Sequence, residues 1–163
     1  MKKKGWIIGG LIFLLLSVGL YNAYQKFCTP YGAWEINWKF KSPSPSEMND
    51  VINTIGGFPA EGETYTICKY SDYKLKKILK TNNWAKMDDK SYDMIKKKVN
   101  HFQNTVSSIH IGQEEKFKKI FLNNPVTFTK DSLYFLKSNS DGSYFLSILN
   151  PNENKVYILE WVQ

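Results

Sequence analysis

Hydrophobic and polar positions follow two different patterns along this chain of 163 residues. No charged residue occurs between Gly5 and Gln25, and residues 6–21 are almost all apolar. A helix rises about 1.5 Å per residue, so the uncharged run would reach roughly 30 Å, the hydrocarbon thickness of a bilayer. We predict a basic cytoplasmic tail at 1–5, a transmembrane anchor at 6–25, a juxtamembrane linker at 26–33 and one extracytoplasmic domain at 34–163.

The orientation of the anchor follows from the lysines at positions 2–4, which are expected to hold that end in the cytoplasm. The same stretch also has the form of a secretory signal peptide that would be cleaved after Gly19. Trp6, Tyr21 and Tyr24 favour retention, because amphipathic aromatic residues at both ends of a span lie at the level of the lipid headgroups.

After the linker, apolar side chains recur at every second position. Residues 34–40 alternate apolar and polar side chains, which predicts a strand. One face of this strand would be apolar and would contain Trp34, Ile36, Trp38 and Phe40.

A helix is predicted next, because Ser44-Pro45-Ser46-Glu47 has the form of a capping box with proline at the first helical position. Gly56-Gly57 would end this helix. Its inward-facing positions would be Met48, Val51, Ile52 and Ile55.

The remaining pattern predicts a strand at 64–70, then three helices. The helices begin near Asp72, Asp89 and Gln113, and the middle one carries an apolar stripe at a spacing of three and four. That stripe contains Tyr92, Ile95, Val99, Phe102 and Val106.

A β-meander completes the domain. Four strands are predicted, at 126–129, 132–137, 144–149 and 155–162, separated by turn-forming residues. Residues 156–159 are apolar on both faces, which is typical of an interior strand. The predicted fold class is α+β, with a mostly antiparallel sheet and helices packed on one face.

Charge limits the class of partner. The formal net charge is +7 and all 22 basic residues are lysine, with no arginine. Because arginine is the usual residue for bidentate recognition of phosphates and bases, we do not predict a nucleic-acid partner. The membrane, crossed by a single span, is one predicted partner, and a protein is the other.

Catalytic motifs are absent from the sequence: it has no HExxH, no GxSxG, no Walker loop and no CxxC. We therefore predict no catalytic residue, no cofactor and no metal site, and not an enzyme. A Cys–His hydrolase that uses Cys68 with His101 or His110 is kept as an alternative.

Cys28 and Cys68 lie in the part predicted to face outward. In an oxidising compartment such a pair tends to form a disulfide, which we predict here. The alternative is that they are two unrelated thiols.

Protein binding is the predicted function. Lys96-Lys97-Lys98 would offer positive charge to an acidic partner, and Trp84, in a predicted loop, is expected to be an exposed aromatic anchor. We predict a stoichiometric inhibitor of the immunity type in the inner membrane of a bacterium, with its domain facing the periplasm or the outside. The alternative of the same class is an assembly subunit of an envelope secretion or pilus machine.

Overall fold

The computed structural model describes residues 2–57 and 60–163, and of residues 2–9 it describes the backbone alone. The described chain forms five helices and six strands. The helices are α1 (Lys2–Phe27), α2 (Pro30–Trp38), α3 (Asp72–Thr81), α4 (Asp89–Ile109) and α5 (Glu114–Asn123). The strands are β1 (Glu47–Asn53), β2 (Gly62–Lys69), β3 (Ala85–Lys86), β4 (Leu133–Ser138), β5 (Tyr144–Asn150) and β6 (Lys155–Val162).

One antiparallel sheet contains all six strands, in the order β1-β2-β6-β5-β4-β3. The α+β class with an antiparallel sheet is therefore confirmed. Strand β6 lies in the interior between β2 and β5, as its two apolar faces predicted, and β5 is buried along its whole length. The strands β4, β5 and β6 form a meander and correspond to three of the four strands predicted for it.

Helices α4 and α5 pack on one face of this sheet. The apolar stripe of α4 is buried there, so the prediction for Ile95, Val99 and Phe102 is confirmed. Phe102 meets Phe121 of α5 edge to face, with ring centroids 6.2 Å apart. From the sheet, the same core receives Ile52, Tyr65, Tyr144, Leu146, Ile148, Tyr157 and Leu159.

The strand predicted at 34–40 is wrong, because these residues belong to helix α2 and the segment after it. Thr29 caps the helix by accepting a hydrogen bond from the Gly32 N–H at 3.2 Å, and Pro30 occupies its first turn. Trp34 and Trp38 are four residues apart, a spacing that fits one face of a helix as well as one face of a strand, and both are buried. Pro30 and the cap at Thr29 favour the helical period over the strand period for this segment.

The helix predicted from Ser44 to Gly57 is also wrong. Residues 47–53 form β1, which pairs with β2 and has a β-bulge between Asp50 and Ile52. The backbone N–H of Ser46 donates to Lys69 O at 2.8 Å, so the pairing begins where the capping box was expected. Gly57 has a φ of 79° and lies in the connection between the two strands rather than at the end of a helix.

Two further strand predictions differ from the structure. Residues 126–129 form no strand, and the two-residue strand β3 was not predicted. β3 is short and pairs with β4 alone, so it has too little sequence for a period to be recognised.

The described chain divides into two compact units, the first ending at Ser44 and the second comprising Pro45–Gln163. This boundary lies eleven residues after the predicted one at 33/34. In the first unit α1 carries a run of exposed apolar side chains, among them Leu11, Phe13, Leu20 and Phe27.

The predicted membrane anchor is not reproduced as a single span. None of the described helices is long and apolar enough on its own to cross a bilayer. Two consecutive helical segments, Gly10–Phe27 and Pro30–Trp38, are long and apolar enough to cross a bilayer only when taken together. The angle of the bend between them is 69°. Met1 and the side chains of residues 2–9, which include Trp6 and the lysines at 2–4, lie outside what the structure describes.

Candidate functional site

A cleft of about 600 Å³ opens between α4, α5 and the segment 125–128. Its apolar lining comes from three parts of the chain: Val99, Phe121, Leu122, Pro125, Val126 and Phe128. Its polar lining comes mostly from α4: Lys96, Asn100, Gln103, Asn104 and Ser107, with Lys118 from α5. An apolar lining with a polar wall is typical of a binding cleft.

The polar wall is a row of carboxamides on one face of α4. Asn100, Gln103 and Asn104 follow the spacing of three and four residues that places side chains on the same side of a helix. Within the described residues, no hydrogen bond is made by any of these three side-chain amides. Each of them therefore has two N–H donors and one carbonyl acceptor free for a ligand.

The opposite wall, segment 125–128, is held in place by Glu153. The Thr127 hydroxyl donates to Glu153 Oε1 at 2.7 Å, and Asn150 Nδ2 donates to the same oxygen at 3.0 Å. Lys155 Nζ donates to Glu153 Oε2 at 2.7 Å. These hydrogen bonds hold the pKa of the Glu153 carboxyl below its usual value, and the bond from Lys155 has the largest effect.

Segment 125–128 has free backbone groups. Within the described residues, the N–H groups of Val126, Thr127 and Phe128 make no hydrogen bond, whereas the Thr127 carbonyl accepts one from Asn150 Nδ2 at 3.1 Å. The Phe128 ring packs on Tyr92 of α4, with centroids 5.2 Å apart. Side-chain contacts thus hold segment 125–128 in place, although within the described residues its three N–H groups have no hydrogen-bond partner.

The three predicted partner-binding lysines are separated by the helix. Lys96 lines the cleft and Lys97 is exposed. Lys98 is half-buried with its Nζ 3.7 Å from the centroid of the Tyr144 ring, and burial lowers the pKa of Lys98. Consecutive residues of a helix differ by about 100° in direction, so these three do not form one patch.

Lys118, on the α5 side of the cleft, is bonded to Glu115 at 2.7 Å. That pair raises the pKa of Lys118, chiefly through the hydrogen bond with Glu115. Lys96 has no ion-pair partner within the described residues. The charge available to a ligand of the cleft is therefore centred on Lys96.

The prediction that Trp84 is exposed is wrong. Its indole is half-buried, and Nε1 donates to Ile78 O near the end of α3 at 3.0 Å. A tryptophan that satisfies the carbonyl of a helix end has a structural role, which the loop position in the sequence did not reveal.

A second polar cluster joins β2 to the loop after α4. His110 Nε2 lies 3.3 Å from Glu63 Oε2, and the His110 ring stacks on Phe117 with centroids 4.4 Å apart. Thr54 donates its hydroxyl to Glu63 Oε2, and the Glu63 side chain is 8% exposed. Sequence reasoning missed this pair, because its members are 47 residues apart.

Cys68 is not brought together with either histidine. Cys68 lies five positions after Glu63 on a regular strand, so their side chains point to opposite faces of the sheet. His110 is with Glu63, and His101 is exposed on α4, which packs on the face of Glu63. The geometry therefore does not support the Cys–His alternative.

Both cysteines are free thiols in the structure; the predicted disulfide would join the first unit to the second and stays a prediction. Cys28 is exposed, whereas Cys68 is fully buried, and burial raises the pKa of Cys68 to about 12. At neutral pH the Cys68 thiol is thus protonated and unreactive.

No group of three or more histidine, cysteine, aspartate and glutamate side chains within the described residues could hold a metal ion. Comparison of the chain with protein-family models, with curated proteins and with solved structures found no match in any of the three. A functional assignment therefore rests on the residues of this chain alone.

Proposed function

We propose that this chain is a protein-binding domain on a bacterial inner membrane, facing the periplasm or the outside, which inhibits one protein partner stoichiometrically in the manner of an immunity protein. The observation that carries the binding role is the cleft between α4 and segment 125–128. It combines apolar lining, three carboxamides without partners and the unpaired charge of Lys96. Such a surface offers burial together with hydrogen bonds, as a protein interface requires.

Membrane attachment is supported by the first unit. The exposed apolar side chains of α1, among them Leu11, Phe13 and Leu20, would be covered by lipid, and the lysines at 2–4 favour an outward domain. A fusion of alkaline phosphatase after Gln163 tests this topology. We expect active phosphatase in the membrane fraction; an inactive fusion would contradict an outward domain, and a soluble product beginning at Leu20 would show cleavage.

A protection assay tests the inhibitory role. Sensitive cells that make this chain are exposed to the product of the neighbouring gene, and the purified pair is analysed for a 1:1 complex by light scattering. We expect protection and a 1:1 complex whose association slows with Lys96→Glu, less so at high salt, because exposed charges act mainly on the encounter rate. Recovery of the chain in a large envelope complex held through α1, without protection, would instead favour an assembly subunit.

A further inference from the structure

We propose that the cleft binds an extended peptide segment of the protein partner, which pairs its backbone with segment 125–128 and places a carboxylate at Lys96. This inference rests on the proposed binding role and assigns the part of the partner that is recognised. Three independent features of the cleft support it: its free backbone, its length and its charge.

The free backbone lies in segment 125–128. Its sequence, rich in β-branched and aromatic residues, favours an extended conformation, yet no strand of the sheet pairs with it. In an extended chain, alternate residues direct their N–H and C=O groups to opposite sides. The Thr127 carbonyl is bonded to Asn150. The N–H and C=O groups of Val126 and Phe128 would therefore point to the opposite side of the segment. An incoming strand can use such groups by β-augmentation.

The carboxamides of α4 suit the other edge of the same peptide. A strand bound to segment 125–128 has a second row of backbone N–H and C=O groups facing away from it. Asn100, Gln103 and Asn104 can each donate to a carbonyl and accept from an N–H, so they match that row without requiring a particular sequence.

The dimensions and the charge define the ligand further. From Lys96 to Ser107 the wall of α4 is roughly 16 Å long at about 1.5 Å per residue, which is the length of about five residues of strand. Apolar side chains of the peptide would contact Leu122 and Pro125, the exposed apolar residues of the lining. At one end, Lys96 is without a counter-ion in the described chain, so an aspartate or glutamate fits there.

Panning of a displayed library of random nine-residue peptides against the full chain in detergent micelles tests the inference. We expect enriched peptides to alternate apolar and polar residues and to carry an acidic residue at one end. Lys96→Glu should raise the dissociation constant of a selected synthetic peptide at least tenfold, because it replaces an ion pair by repulsion. Lys97→Glu, the neighbouring exposed lysine, is the matched control and should change the dissociation constant less than twofold.

Backbone pairing is tested on the same synthetic peptide. N-methylation of alternate amides in one register should lower affinity at least tenfold, and methylation in the other register should lower it less, since carboxamides can adjust. Asn104→Trp, which fills the cleft, should abolish binding. Absence of any enriched peptide, a peptide bound as a helix, or equal binding by wild type and Lys96→Glu would overturn the inference.

The two proposals fail in different ways. A partner that forms the 1:1 complex and is bound equally well by Asn104→Trp would remove the cleft inference and leave the inhibitory role intact. Peptides that bind as described, in a chain that neither protects cells nor forms a complex with the neighbouring product, would remove the inhibitory role and leave the cleft as a peptide site.

Discussion

Truncation of Phe102 to alanine is the most informative test of the domain, because the whole α4 stripe and the wall of the cleft depend on its burial. Phe102 is 0% exposed and lies between the sheet and α5. Phenylalanine-to-alanine changes at fully buried sites cost about 3–5 kcal/mol, from lost transfer free energy and from the cavity that remains. The edge-to-face contact with Phe121 adds about 0.5–1.5 kcal/mol beyond area and places the expected value in the upper half of that range.

The assay is equilibrium unfolding of the full chain in detergent, followed by tryptophan fluorescence and by circular dichroism. At an unfolding entropy of about 2.1 cal/mol/K per residue over the second unit, Pro45–Gln163, a loss of about 4–5 kcal/mol corresponds to a fall in Tm of roughly 16–20 °C. Lys97→Ala is the matched control on the same helix, since Lys97 is exposed, and it should change stability by less than about 0.5 kcal/mol.

The result that would refute this reasoning is a loss below about 1 kcal/mol for Phe102→Ala. Such a loss would mean that α4 does not pack on the sheet through this residue. The cleft between α4 and segment 125–128 would then have no fixed geometry, and the binding proposal would lose its basis.

Three other perturbations test separate parts of the structure. Gly32→Ala places a Cβ against two backbone carbonyl oxygens of α1 and should alter the 69° bend, measured by distances between spin labels, whereas Gly19→Ala meets nothing within 4 Å and should not. Maleimide should label Cys28 rapidly in the folded chain and Cys68 only after unfolding; labelling of neither before reduction would show a disulfide. Because the pKa of Glu153 is lowered in the folded chain, its stabilising contribution is present above its usual pKa and lost as the pH falls through the lowered value. Glu153→Gln should therefore reduce the loss of stability that occurs as the pH falls below the usual pKa of a glutamate; an unchanged pH profile would contradict this role.

The helices of the second unit and the meander were predictable from sequence because their signals are local and agree with one another. In α4 the cap at Asp88 and the stripe from Ile95 to Val106 both indicate the same helix, and the structure contains it. Strand β6 was recognised as interior because residues 156–159 are apolar on both faces. In each case a period and a boundary signal pointed to one answer.

The errors occurred where two local signals were compatible with one segment. Trp34 and Trp38 fit a strand and a helix equally well, and only the cap at Thr29 with Pro30 decided for the helix. Residues 44–47 have the form of a capping box, but residues 47–53 pair with β2, which supplies backbone hydrogen bonds on both sides of the bulge. A pairing partner at a distance in sequence can outweigh a local propensity, and a single sequence does not show that partner.

Most of the candidate site was decided by the tertiary structure. The sequence by itself determined that lysines occur at 96–98, but the turn of α4 places Lys96 in the cleft and Lys98 over Tyr144. Thr127 is bonded to Glu153, 26 residues further along the chain, and no strand of the sheet pairs with segment 125–128. Local pattern indicated α3, α4, α5 and the last three strands, since propensity and period act over a few residues. The cleft arises from contacts between residues far apart in the chain, which depend on how the elements pack.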